Sequence, residues 1–200
     1  MALISRGFRP KRESDPRLPP GQYLERGFPV LSAGPTPKVD LSTWAFTLGS
    51  PGEARARWTW EELLALPAED VVVDIHCVTK WTKLDSRWRG VSIDTLLDAV
   101  EVGDDEQHVL ARCDGGYTTN MPLADLRGGK AWIAYGYDGA PLPDEHGGPA
   151  RLLVPHLYFW KSAKWVRRLD LLTADEQGFW ELRGYHDYGD PWREQRYWGD

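Results

Sequence analysis

Cysteine is scarce in this 200-residue chain, with two residues 36 positions apart. That excludes a disulfide framework, and the lack of any C-x-x-C spacing excludes zinc-ribbon and thioredoxin-type readings. No stretch approaches the roughly 18 apolar residues of a membrane helix, so no membrane span is expected. Basic excess is also missing: 24 Lys and Arg against 30 Asp and Glu give a net charge of −6. General nucleic-acid binding, which wants a basic surface, is therefore not expected. The opening MALISRGFRPKRESDP is basic but carries no apolar segment behind it. Arg9 to Arg12 do not make a general or twin-arginine export signal, and a cytoplasmic protein is expected.

What is abundant is tryptophan, eleven residues, and a hydrophobic fraction of 42%, enough for one domain with a sizeable core. Residues 1 to about 40 hold seven of the fifteen prolines and no hydrophobic period, which reads as an extended arm. Residues 41–200 read as a single domain. Trp44–Leu48 alternates like a strand and ends in the turn signal Gly49-Ser-Pro-Gly52. Thr59-Trp-Glu-Glu62 is a capping box that starts a short helix, stopped by Pro67. In Val71–Cys77 a period of two puts Val71, Val73, Ile75 and Cys77 on one face. A loop rich in Trp, Lys and Arg follows, then a helix from Ser92 to about Val100. Strands are expected at Gln107–Cys113, Tyr117–Met121, Ala131–Tyr135, Arg151–Val154 and Trp165–Leu172. Several strands, two short helices and no βαβ alternation give an α+β class, β-rich. The tail from about Gly184 is polar and aromatic and is expected to pack back on the body.

Three places carry chemistry. Cys77 ends an apolar strand and enters a loop with Lys80, Lys83, Arg87 and Arg89, whose charge would favour thiolate, the metal-binding and nucleophilic form. A buried cysteine at a strand end is the plain alternative. His76, next in sequence, points to the other face and cannot serve as its base. Arg151, Lys161, Lys164, Arg167 and Arg168 form a basic cluster just after His146-Gly-Gly-Pro149. Guanidinium, ammonium and imidazole donors beside bare backbone N–H groups suit a phosphate or polar heterocycle, and a solvated strand face would also explain them. Tyr117, after the Gly115-Gly116 turn, either caps core or offers its hydroxyl to a pocket.

These segments together resemble the sulfite oxidase superfamily. His146-Gly-Gly-Pro-Ala-Arg-Leu-Leu-Val-Pro155 with Lys161-Ser-Ala-Lys-Trp165 is similar to its pterin-binding run, and Tyr135–Pro143 to the loop before it. Cys77-Val-Thr-Lys-Trp81, then Trp88-Arg-Gly-Val91 and a Leu-Leu helix, resembles its molybdenum-ligand segment. The likeness spans about Phe28 to Leu172 and is nearest the branch of the bacterial methionine-sulfoxide reductase catalytic subunit and its cytoplasmic relatives. It implies a sulfite oxidase-type molybdopterin-binding fold with mixed sheets. It implies molybdenum held by Cys77 and molybdopterin held by His146, Arg151, Lys161 and Lys164, with Tyr117 at the place of an active-site tyrosine. The implied reaction is two-electron oxygen-atom transfer, such as reduction of an S-oxide or N-oxide. Its partners would be a small-molecule oxide or oxyanion and a separate electron-transfer protein, with no haem in this chain. A non-catalytic ligand-binding module on the same fold is the alternative. The arginines with which sulfite oxidases hold their anion have no counterpart in Phe28–Gly34 or just after Cys77, where lysines stand instead.

Overall fold

The computed structural model describes residues 15–200. Their elements run β1 (Tyr23–Leu24), β2 (Ala45–Ser50), β3 (Glu53–Thr59), α1 (Trp60–Ala65), β4 (Ala68–His76), β5 (Trp81–Ser92), α2 (Ile93–Leu97), β6 (His108–Cys113), β7 (Thr118–Pro122), β8 (Trp132–Tyr137), β9 (Ala140–Pro141), β10 (Arg151–Leu153) and β11 (Val166–Leu172). They form two mixed sheets. In one, β3-β2-β11-β6-β7, only the β2–β11 pair is parallel. In the other, β5 joins β4 and β8 antiparallel and β1 parallel, while β8 carries β9 and β10. The strand-rich α+β class expected from the sequence is the one observed.

The local signals explain the helices. Thr59 accepts from the Glu62 N–H, and the Glu62 carboxylate accepts from the Thr59 N–H, closing the capping box that starts α1. Leu66 is extended, as the residue before Pro67 must be. Helix α2 is capped by Ser92, whose side chain accepts from the Asp94 N–H, but ends at Leu97, short of Val100. Its last turn tightens, with Ala99 and Val100 donating to carbonyls three residues back.

Four strands differ from expectation, one of them β9, a two-residue pairing on β8 in a stretch read as loop. The segment read as a Trp-, Lys- and Arg-rich loop is β5, the longest strand of all. Its alternation is real over Asp85–Gly90, but two inward positions are Ser86 and Gly90, so the apolar signal is weak. Strand β3 alternates small and charged residues, Glu53-Ala-Arg-Ala-Arg, and carries little hydrophobic pattern either. Strand β1 lies inside the proline-rich arm, where Tyr23 pairs with Trp81 and Leu24 with Thr82. From Asp15 to about residue 40 the arm therefore runs along the body.

Buried side chains gather in two clusters. One, around Trp44, Phe46, Leu96, Ile133, Leu152 and Leu169, includes residues from both sheets. The second holds Ile75, Cys77, Trp81, Trp88, Trp132, Tyr158 and Trp160, with Phe28 and Tyr185 against it. Val71 and Val73 also face this cluster, so the shared face predicted for Val71, Val73, Ile75 and Cys77 is the one observed.

Candidate functional site

Cys77 occupies the tip of the β4–β5 hairpin. Its N–H donates to the Trp81 carbonyl at 2.8 Å and its carbonyl accepts from Lys80 N–H at 3.0 Å, with Lys80 in the left-handed region at φ 78°. Gln22 from the arm donates through Nε2 to the same carbonyl at 3.1 Å. Cys77 is 7% exposed, and its thiol is free of any disulfide. Burial pushes the thiol pKa up, opposed by the Thr79 hydroxyl at 3.2 Å and by the Thr79 and Val78 N–H groups. The expected acidification by basic neighbours is not what the fold builds. Lys83 donates to the Arg26 carbonyl at 2.9 Å and Arg89 pairs with Asp70 at 2.6 Å, so their charge is directed away from the sulfur.

The second wall is the loop before β10. His146 ends a single 3-10 turn, Asp144–His146, and Gly147 follows at φ 110°. A Cβ on Gly147 would sit 3.0 Å from Lys164 and 3.1 Å from the Arg151 Cβ, while one on Gly148 would meet the Leu142 carbonyl at 2.3 Å. Both glycines are thus required by close approach. The His146 imidazole is buried, its Nδ1 has no hydrogen-bond partner, and burial first, then Lys164 and Arg151, lowers its pKa to about 4. Arg151 is fully buried. It donates to the carbonyls of His146, at 2.7 Å, and Ser162, and lies over the Phe159 ring at 4.1 Å. Desolvation lowers its pKa to about 9. Lys164 donates to the carbonyls of Leu31, at 2.7 Å, and Glu145, at 2.6 Å, and burial with Arg151 nearby brings it to about 8. Among the described residues neither cation forms a salt bridge with a carboxylate.

Aromatic side chains join the two walls. Phe28 contacts Trp81 and Trp88 on the thiol side and stacks on His146 on the other. Phe159, which packs against Phe28 and under Arg151, donates its N–H to the His76 carbonyl at 2.8 Å. These rings connect the Cys77 tip to the wall that carries His146, Arg151 and Lys164.

Lys161 and Tyr117 sit elsewhere in their bonding. The Lys161 ammonium is fully buried. It pairs with Glu181 at 2.7 Å and donates to the Asn120 carbonyl, Asn120 Oδ1 and the Asp187 carbonyl, which leaves no donor over for a ligand. The Tyr117 hydroxyl donates to the Trp160 carbonyl at 2.7 Å. A different tyrosine packs on the cluster that holds the thiol. Tyr185 is half-buried, packs on the Cys77 cluster between Trp160 and Trp180, and has its pKa raised by burial, Tyr197 and Cys77. Sequence reading missed it, together with Phe28, Gln22 and Thr79. The aromatic density of the tail, expected to pack inward, is the only signal that pointed there.

Residues 33–180 match the oxidoreductase molybdopterin binding domain. The chain is 39% identical over 193 residues to the uncharacterized oxidoreductase YuiH of Bacillus subtilis, covering 95% of this chain and 98% of that one. It is 25% identical over 183 residues to the protein-methionine-sulfoxide reductase catalytic subunit MsrP of Pseudomonas syringae, covering 82% and 53%. Mouse mitochondrial sulfite oxidase is 25% identical over 209 residues, covering 85% and 38%. The chain thus spans about half or less of these two longer relatives. The sulfane dehydrogenase SoxCD of Paracoccus pantotrophus shares the fold, with a TM-score of 0.62 at 21% identity over 70% of this chain and 40% of that one. The chain belongs to the oxidoreductase molybdopterin-binding family.

Proposed function

We propose that this oxidoreductase reduces a small S-oxide or N-oxide at a molybdenum–molybdopterin centre held between Cys77 and the His146–Lys164 wall. The observation that carries this reading is chemical. An imidazole with an orphaned buried nitrogen and two cations without carboxylate partners stand in one wall, and a ring of aromatic side chains connects it to a buried free thiol. Buried charge without a counter-charge is costly unless a ligand supplies one. A phosphate-bearing pterin fits that donor set, and a thiolate is the soft ligand molybdenum takes. When bound, the group supplies the two-electron oxygen-atom exchange.

The chain's own residues would then divide the work. His146 Nδ1 would meet the polar heterocycle, and Arg151 and Lys164 would offer charge to its anionic end. Lys161 acts through the fold, anchoring Glu181 and the tail. Tyr185, packed on the Cys77 cluster against Trp160 and Trp180, would supply one of the two protons that reduction of an oxide to water takes up, the second coming from solvent. Phe28–Gly34 carries no arginine and the hairpin tip carries lysine, so a forked grip on sulfite is lacking. That favours a neutral oxide over an oxyanion. The relatives named as reductase subunits support electrons arriving from a separate protein. Two free cysteines suit the reducing cytoplasm. No helix among the described residues is long and apolar enough to cross a membrane.

The test is purification from a host that makes the molybdenum cofactor, followed by metal and pterin assay and a screen of S-oxides, N-oxides and sulfite. Near-stoichiometric molybdenum with oxide-dependent oxidation of a reduced dye is the expected result. Absence of both metal and pterin from a well-folded sample would overturn the assignment; turnover of sulfite alone would overturn the substrate class.

A further inference from the structure

The hairpin tip does more than present a sulfur. Cys77 to Lys80 form a tight turn whose two closing bonds, Lys80 N–H to Cys77 carbonyl and Cys77 N–H to Trp81 carbonyl, use backbone alone. Lys80 takes the left-handed conformation that lets the chain fold back into β5. This curl sets the Thr79 hydroxyl 3.2 Å from Sγ. The donor on the sulfur is therefore a side chain that the turn itself does not need.

We propose that Thr79 is a positioning residue for the thiolate ligand: its hydroxyl hydrogen-bonds Cys77 Sγ and thereby sets the redox potential of the metal that Cys77 holds. This rests on the reading of Cys77 as the molybdenum ligand. A metal-bound thiolate keeps lone pairs that accept hydrogen bonds, and each bond draws electron density off the sulfur. A less donating sulfur stabilises the reduced, more electron-rich metal, which raises the potential, as hydrogen bonding around cysteine ligands does at other metal sites. Threonine suits the task because β-branching limits χ1, holding the hydroxyl on the sulfur although the residue is otherwise exposed. Valine has the same shape without the donor, and serine has the donor without the branch.

The experiment is a redox titration of the metal-loaded protein, following the Mo(V) paramagnetic signal and the sulfur-to-molybdenum charge-transfer absorption. Wild type, Thr79→Val, Thr79→Ser and Cys77→Ser are compared, with molybdenum content and thermal melting measured on each. Thr79→Val is expected to keep near-wild-type metal and melting, with its midpoint moved to more negative potential and its charge-transfer band to lower energy. Thr79→Ser should lie near wild type in both. Wild-type potential and band position in Thr79→Val would overturn the proposal. If Thr79→Val does not fold, Thr79→Ala carries the same expectation and the same refutation. Cys77→Ser separates the two levels: loss of the band identifies the ligand, whereas metal and band unchanged in Cys77→Ser would remove the ligand reading itself.

Discussion

The ring of Phe28 lies on the imidazole of His146 with 3.7 Å between centroids and 6° between planes. These residues are 118 positions apart, and the contact is how the arm becomes part of the site. Phe28 also touches Trp81, Trp88, Tyr137 and Phe159, so one half-buried side chain holds five aromatic rings in register. Phe28→Ala should cost about 2 kcal/mol in urea unfolding, less than a fully buried phenylalanine would. Pterin content should fall along with it, because His146 loses the surface that fixes its plane. Phe28→Leu, which fills space but cannot stack, should recover most of the stability and little of the cofactor. Equal recovery of both would mean that packing alone matters at this position.

Lys161 and Glu181 form an ion pair with no exposure on either side, and Thr119 Oγ1 and the Trp160 indole also donate to Glu181. Removing one partner of such a pair leaves the other charge buried and unpaired, at a cost of about 3–5 kcal/mol. Lys161→Met and Glu181→Gln should each lower the melting temperature steeply. The double change Lys161→Met with Glu181→Leu should recover part of the loss, since no lone charge remains. Folded double variant with normal pterin content is the expected outcome of a cofactor assay. A pterin loss as deep as that of Arg151→Ala would instead return Lys161 to the cofactor wall.

How much of this was legible in the sequence depends on whether a residue's task is local. The Thr59 capping box, the Val71–Cys77 face and the His146–Pro155 run all announce themselves within a few positions, and each stands as a structural feature where it was expected. Strand β5 did not, because Ser86 and Gly90 take inward positions where an apolar residue would have shown the period. The fate of charges was also hidden. Five basic residues near His146 look alike in sequence, yet Lys161 meets Glu181, Arg167 meets Asp114 and Arg168 meets Asp170, leaving Arg151 and Lys164 facing backbone carbonyls. Those partners come from distant segments, and only the fold brings them in. The thiol followed the same rule: basic residues nearby in sequence do not govern Cys77, and burial does.

The uncompensated Lys164 gives a pH signature. Its pKa is about 8 in the folded chain against about 10.4 for an unfolded lysine. Between those values the unfolded state holds more protons, so stability of the cofactor-free protein rises with pH through that window. At pH 7 the charged ammonium is a burden, about 1–2 kcal/mol after allowance for its partial exposure. Lys164→Met should therefore stabilise the cofactor-free protein at pH 7 and flatten the slope between pH 8 and 10, read by chemical unfolding. In the same variant pterin content should drop. A variant that is destabilised at pH 7 and keeps its cofactor would show that the ammonium serves its carbonyl partners, Leu31 and Glu145, and nothing more.

Two tyrosines compete for one role, and their bonding sets them apart. Tyr117 spends its hydroxyl on the Trp160 carbonyl at 2.7 Å, and its phenol pKa is pushed far up, chiefly by burial. Tyr117→Phe would leave that carbonyl unpaired, a loss of about 1–2 kcal/mol in unfolding free energy with turnover per bound molybdenum unchanged. Tyr185 packs on the Cys77 cluster, and its place depends on Trp160 and Trp180 beside it. Tyr185→Phe keeps the ring packing and removes only the proton. It should leave stability and metal content near wild type and lower turnover about 100-fold, the scale of a lost general acid. The decisive measurement is turnover normalised to molybdenum in both variants. If Tyr117→Phe shows the deep loss and Tyr185→Phe does not, the proton comes from the residue that the sequence first suggested, and the Trp160 bond must break during the cycle.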